Sequence, residues 1–425
     1  MHHAIPSVDP FSFTALGQPW ESHEWLAQWL LFTVYQLSGW AGLVLLGAIC
    51  FSLTLSIIWQ FLIQRLPLIY SLAFLSLSFA CMATHDNVRP HVLVWPLMAW
   101  WTARLVRAVE NSEQPLRLTS CLVMIVWVNL HGSFLLGLVV MGVIAIEGLI
   151  AQPEKKKSWV YFCLFSCIAC LVNPSGWNIF RFVMQTLQID SLKYLSEWAA
   201  PSFNGPNFLA LYILFLMGYA LSGRLTLPWN RLTFLILLLY QAMSHGRYVS
   251  IMGILVPFFV AGGFSASMMD IKVRKLSFPI KRATGLLIPV LIAVVAIVIY
   301  RKDHFRPAQW ITPERAVNFL LSQDISGHGL NHLNYGAYLI YRGIPVFMDA
   351  RVDLYGEKGM LRYLNIVNTE KSSDLYHLSR ELDQWHIQWT IFPKQSQVNL
   401  FLEKNPDWQK LYEDEQSIVF AKRQK

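Results

Sequence analysis

Residues 40–63 read WAGLVLLGAICFSLTLSIIWQFLI, a stretch with no Asp, Glu, Lys or Arg. Crossing the hydrocarbon core of a bilayer takes about 20 mostly apolar residues in a helix, and this run is long enough. Moving outward from it, comparable runs recur at 66–84, 91–109, 118–130, 132–151, 158–173, 205–222, 229–244, 248–265 and 284–300. The break between the fourth and fifth of these is only NLHGS. Composition agrees: 55% of the chain is apolar or aromatic and 14% charged, with a mean hydropathy of +0.40. A soluble domain carries roughly 25% charged residues. The expected class is therefore an α-helical polytopic membrane protein of about ten spanning helices over 40–300.

The net charge of +8 does not point to nucleic acid, because the cations sit in short loops between apolar runs. Arg65, then Arg104, Arg107 and Arg117, then Lys155, Lys156 and Lys157, then Arg224, then Lys272, Arg274, Lys275, Lys281 and Arg282 occupy one set of alternate loops. Cation-rich loops stay in the cytoplasm. The other set (HDNVRPH, NLHGS, NPSGW and SHGRY) is rich in His, Asn, Gly and Pro, and is expected outside. The six cysteines lie within apolar runs and read as buried small side chains.

On this topology both chain ends face outward. Residues 1–39 form an outer-side loop with an interfacial helix, HEWLAQWLLFTVYQL, and an even number of spans leaves the head no crossing of its own. A first spanning helix is therefore expected to be missing ahead of Met1. The polar residues that gather outside are Asp9, His23, Glu24, His85, Asp86, Arg89, His91, Asn129, His131, Asn173, His245 and Arg247. Each motif has a plainer reading: HDNVRPH as a turn with Pro90 opening a helix, VNPSGW as an Asn-Pro turn, and the cation of SHGRY as held by a headgroup or by the tail. Collected on one face, they suit a cavity at the outer leaflet with carboxylates for proton transfer and cations for a phosphate.

Charge density rises after about residue 301, and 301–425 reads as a small soluble α/β domain on the outer side. TPERAVNFLLSQ is expected to be a helix with Thr312 as N-cap, Pro313 at its first position and Glu314 in its first turn. GAYLIY, IPVFMDAR and IQWTIFP read as strands, SSDLYHLSRELDQW as an amphipathic helix, and WQKLYEDEQSIVFAKR as a hairpin. Ligands favour the carboxyl ends of strands in such domains. Asp349, Arg351 and Asp353 of MDARVDLYG are therefore candidates, or else an internal ion pair that shapes a turn.

In that order DPFSFTALGQPWESHEWL, RPHVLVWPLMAWW, WVNLHGSFLLG, LVNPSGW and NYGAYLIYRGIPVFMDARVDLYG resemble the largely uncharacterised bacterial membrane proteins grouped with the GT-C glycosyltransferases. The resemblance covers almost the whole chain. It implies a multi-pass enzyme of the cytoplasmic membrane that moves a sugar from a polyprenyl-phosphate carrier to an acceptor on the outer side. It also implies a first-loop acid as catalytic base, which places that role on Asp9 and Glu24, with Arg89 and Arg247 near the donor phosphate and Asn129 and His131 lining the pocket. The leaving phosphate would be neutralised by an Arg or by Mg or Mn, and no cofactor motif is present. Two other readings stay open, a transporter or flippase of lipid-linked saccharide and a non-catalytic membrane scaffold.

Overall fold

A computed structural model describes residues 5–85, 87–111, 117–189, 198–205, 207–222, 225–267, 311–323, 325–367 and 372–423. Asp86 and the expected span at 284–300 lie outside these residues. The chain divides into two compact units. One comprises His23–Val183 and Lys193–Phe305, the other Met1–Ser22, Met184–Leu192 and Arg306–Lys425.

The first unit is helical. Its described helices are α1 (Trp25–Leu62), α2 (Leu68–Met82), α3 (Pro90–Glu110), α4 (Leu122–Leu130), α5 (Phe134–Ala151), α6 (Lys156–Ala169), α7 (Asn178–Leu187, of which the residues from Met184 on are assigned to the second unit), α8 (Phe208–Leu221), α9 (Trp229–Ser244) and α10 (Arg247–Ser267). Among the described residues, four helices are long and apolar enough to cross a membrane: Trp25–Leu62, Leu68–His85, Phe134–Ala151 and Arg247–Phe264. That is compatible with a membrane location. The first departs from a continuous helix at Gly39, whose φ of 60° is a left-handed conformation that glycine reaches at no steric cost. The interfacial segment and the first span expected from the sequence are thus the two arms of one broken helix.

Close approach at small residues and polar bonds contribute to the packing of these helices alongside apolar burial. Small residues provide the approach here. A Cβ on Gly148 would come within 2.1 Å of the Trp159 ring, and one on Gly137 within 2.8 Å of Trp127. Trp95, Trp101, Trp127 and Trp159 are fully buried, and the Trp101 indole donates to the Gly137 carbonyl at 3.0 Å. Helix α3 packs against α1, α5 and α10. At one end of this bundle the buried Arg231 of α9 bonds Glu147 of α5 at 2.7 and 2.9 Å and Glu110 of α3 at 2.9 Å. Arg65 also bonds Glu110, at 3.0 and 3.2 Å.

The second unit holds α11 (Glu314–Ser322), β1 (His328–Asn331), α12 (Gly336–Tyr341), α13 (Val352–Val367), α14 (Ser372–Gln384), β2 (Ile387–Pro393), α15 (Gln397–Glu403), β3 (Trp408–Glu413) and β4 (Ser417–Lys422). The sheet order is β1-β2-β4-β3, with β1 and β2 parallel and the other pairs antiparallel. The expected strand IQWTIFP, the amphipathic helix before it and the closing hairpin are present. Two expected strands are not. GAYLIY is helix α12, which buries Gly336 and Leu339 beside the buried Tyr335, a helical rather than an alternating spacing. IPVFMDAR joins no sheet and makes an isolated bridge, from Val346 to Ser12. Helix α11 begins at Glu314 with Pro313 as its cap residue, one position later than expected.

Candidate functional site

In the helical unit the motif WVNLHGS wires itself. It closes α4 and opens α5 through a three-residue link, His131, Gly132 and Ser133, whose first residue is extended. The Trp127 indole donates to Ser133 Oγ at 3.0 Å, and the Ser133 backbone N–H donates to His131 Nδ1 at 3.0 Å. Asn129 is buried and fully used: its amide donates to the Ile125 and Val172 carbonyls at 2.8 Å each and accepts the Trp25 indole at 2.6 Å. Asn129 therefore fastens the start of α1 to α4 and to the end of α6, rather than presenting its amide to a cavity.

That fastening brings Glu24, the residue capping α1, beside the motif. Glu24 Oε1 lies 3.5 Å from His131 Nε2 and 3.7 Å from His23 Nε2. The His131 side chain is 14% exposed. Burial, reinforced by the positive charge of Arg247 and by His91 and His23, holds its imidazole well below the usual histidine range, in the neutral form.

His85, His91, His131 and Arg247 line a cavity with Trp95, Met98 and Ser250. Its volume is about 30 Å³, water-sized rather than sugar-sized. Hydrogen bonds set the tautomers. Thr84 gives its hydroxyl proton to the Cys81 carbonyl at 2.7 Å, so it accepts from His85 Nδ1 at 3.3 Å. His91 Nε2 donates to the His85 carbonyl at 3.2 Å. The Arg247 guanidinium lies 4.6 Å from the Trp198 ring centroid, and the Gly246 N–H bonds the Ala199 carbonyl at 2.9 Å, which holds the two segments together. A cation over an indole face keeps its charge with little hydration.

Arg89 caps α3 with an exposed side chain and is close enough to Arg247 for their charges to repel. His245 packs edge-on against Trp198 at 5.7 Å, and its buried Nδ1 has no hydrogen-bond partner among the described residues. Asn173 spends its side chain inside its own turn, on Cys170, Gly176 and Ser175.

Asp9 belongs to the other unit. Its carboxylate accepts from the Phe11 and Ser12 backbone N–H groups at 3.1 and 2.9 Å, from the Ser12 hydroxyl, and from Arg351 Nη1 at 2.7 Å. Burial by itself would raise this carboxyl. The Ser12 hydroxyl, the two backbone donors and the guanidinium pull it below the usual aspartate range. Arg351 also grips Asp349 through two bonds, of 2.8 and 2.6 Å, and Tyr355 donates to Asp349 at 3.0 Å. The guanidinium lies 4.7 Å from the Trp20 ring and 5.2 Å from Phe11. Asp353 accepts from the Trp20 indole at 3.2 Å. Backbone bonds from Phe13 to Val346 and from Val346 to Phe11, both 3.1 Å, complete a strap of residues 8–20. Asp9, Asp349, Arg351 and Asp353 are thus one internal clasp, while Glu24 sits in the helical unit.

Sequence reasoning missed Trp25, Ser133, Trp198 and the strap aromatics Phe11 and Trp20, which orient the charged groups. It also missed Glu110 and Glu147, for which the available signal was a carboxylate within or ending an apolar run. Among the described residues no group of three or more His, Cys, Asp or Glu is arranged to hold a metal ion. Comparison with protein-family models gave no match, and comparison with curated proteins gave none.

Proposed function

We propose that the chain is a polytopic membrane protein whose His/Arg cluster binds the phosphate of a polyprenyl-phosphate sugar at the outer side of the cytoplasmic membrane, and that it transfers the sugar to a hydroxyl acceptor. The observation that carries this reading is the Arg247 guanidinium, laid on Trp198 beside His85, His91 and His131, with the Glu24 carboxylate close to His131 and acting on Arg247. Arg247, partly buried, and its neighbour Arg89 concentrate positive charge that a phosphate complements through charge-assisted bonds.

In the proposed reaction Glu24 takes the acceptor's hydroxyl proton as that oxygen bonds to the anomeric carbon. The bond from the anomeric carbon to the phosphate oxygen breaks, and its electron pair leaves on the phosphate, where Arg247 and Arg89 meet the charge. Asp9 takes no proton in this scheme, because its oxygens are committed to Arg351 and to the strap's own N–H groups. Donor entry requires the water-sized cavity to widen. The second unit is taken to lie outside with the acceptor.

Purified full-length protein mixed with a panel of polyprenyl-phosphate sugars tests the proposal. Wild type is expected to release the carrier, and Glu24→Gln to lose that release while staying folded. Equal turnover by Glu24→Gln removes its role as base, and no release from any donor removes the transfer reaction.

A further inference from the structure

Glu24 does not act alone in this arrangement, and the element beside it has a fixed chemistry. The Ser133 backbone N–H points at His131 Nδ1 from 3.0 Å, so that nitrogen must offer a lone pair. A neutral imidazole with Nδ1 as acceptor carries its proton on Nε2, the atom 3.5 Å from Glu24 Oε1. Protonating Nδ1 would set two hydrogens against each other across the Ser133 contact. His131 can therefore give a hydrogen bond to the carboxylate, but it is poorly placed to accept a proton from it. The backbone donor is itself immobilised, because Ser133 Oγ accepts the Trp127 indole and that ring packs against Gly137.

We infer that His131 is a positioning residue for Glu24: a tautomer-locked Nε2–H donor that orients the carboxylate and lowers its basicity. Among the described residues, groups that also bear on Glu24 include His23, whose Nε2 is 3.7 Å from the same oxygen, and Arg247. His91 faces His131 with ring centroids 6.3 Å apart. The inference rests on the proposed role of Glu24 only for its relevance to catalysis, since the tautomer and the carboxylate's titration can be measured without a substrate. A donor to the charged form of a carboxyl favours that form, so removing it lets the proton bind more tightly.

The test uses the full-length protein in lipid nanodiscs. Nitrogen NMR of labelled histidine, assigned with His131→Gln, should find His131 with a bare Nδ1 and a protonated Nε2. Difference infrared titration, with the Glu24 band assigned by its loss in Glu24→Gln, should move upward by about one pH unit in His131→Ala. His131→Gln, which can still present an N–H donor, should recover part of that shift. A proton on Nδ1, or an unmoved Glu24 titration in His131→Ala, overturns the inference. If His131→Ala does not fold, the wild-type tautomer and the His131→Gln titration decide it. A correct tautomer and shift without sugar transfer would leave this inference standing and remove the transferase reading.

Discussion

Arg351→Met removes a cation that two buried carboxylates share. The Asp9 side chain is 0% exposed and that of Asp349 3%, and Arg351 bonds Asp9 at 2.7 Å and Asp349 at 2.6 Å. Deleting one partner of a buried ion pair costs about 3–5 kcal/mol, because the remaining charge has no solvent and no counter-ion. Methionine would retain part of the contact with Phe11 and Trp20 but not the cation–π attraction, about 0.5–1 kcal/mol. Taking about 4 kcal/mol, and a factor of ten per 1.4 kcal/mol, the strap should open roughly a thousandfold more often. The reporters are the Phe13 and Val346 backbone N–H groups, which bond across the strap. Hydrogen exchange followed by mass spectrometry on the full-length protein reads them, because exchange there requires local opening. Asp9→Asn, which keeps the shape but loses the charge, should cost about 2 kcal/mol and accelerate exchange about thirtyfold. The sign with pH follows from the Asp9 carboxyl being lower in the folded state. Its stabilising contribution is complete above the unfolded value, about 4, and is lost as pH falls through the lower folded value. Exchange at Phe13 that is unchanged in Arg351→Met would refute the clasp.

Three further substitutions probe the helical unit. Arg231→Gln leaves Glu147 and Glu110 without their shared buried partner and should destabilise by about 3–5 kcal/mol, seen as loss of folded protein in fluorescence-detected size exclusion with heating. Gly148→Ala drives a Cβ into the buried Trp159 ring, so a loss of about 1–3 kcal/mol is expected in the same assay. Asn129→Leu strands the Trp25 indole and the Val172 carbonyl and should cost about 1–3 kcal/mol. Its diagnostic sign is faster hydrogen exchange at the start of α1.

Most helices of the helical unit fall on the apolar runs read from the sequence, because a long apolar stretch fits a helix better than a strand, whereas α7 (Asn178–Leu187) lies outside every such run and was not foreseen. The break at Gly39 and the one at NLHGS were legible as a glycine and as a polar interruption. GAYLIY misled because a short apolar run does not distinguish a strand from a buried helical turn. IPVFMDAR misled because its partner is residues 11–13, more than three hundred positions earlier in the chain, a pairing that no local pattern encodes. For the same reason Asp9 could be read as a reactive acid. Its residue type invites proton chemistry, and only the tertiary structure supplies Arg351. The histidines and Arg247 were legible as unusual polar residues at helix ends, whereas their tautomers depend on backbone groups such as Ser133 N–H and the His85 carbonyl.

The most direct test of the central claim is equilibrium binding of a polyprenyl phosphate to the full-length protein in nanodiscs, comparing wild type with Arg247→Gln. The account predicts saturable binding that weakens at least about tenfold when the guanidinium is removed, as expected for losing a charge-assisted bond to phosphate. Equal affinity in both proteins, or equal affinity for the uncharged polyprenol, would contradict it.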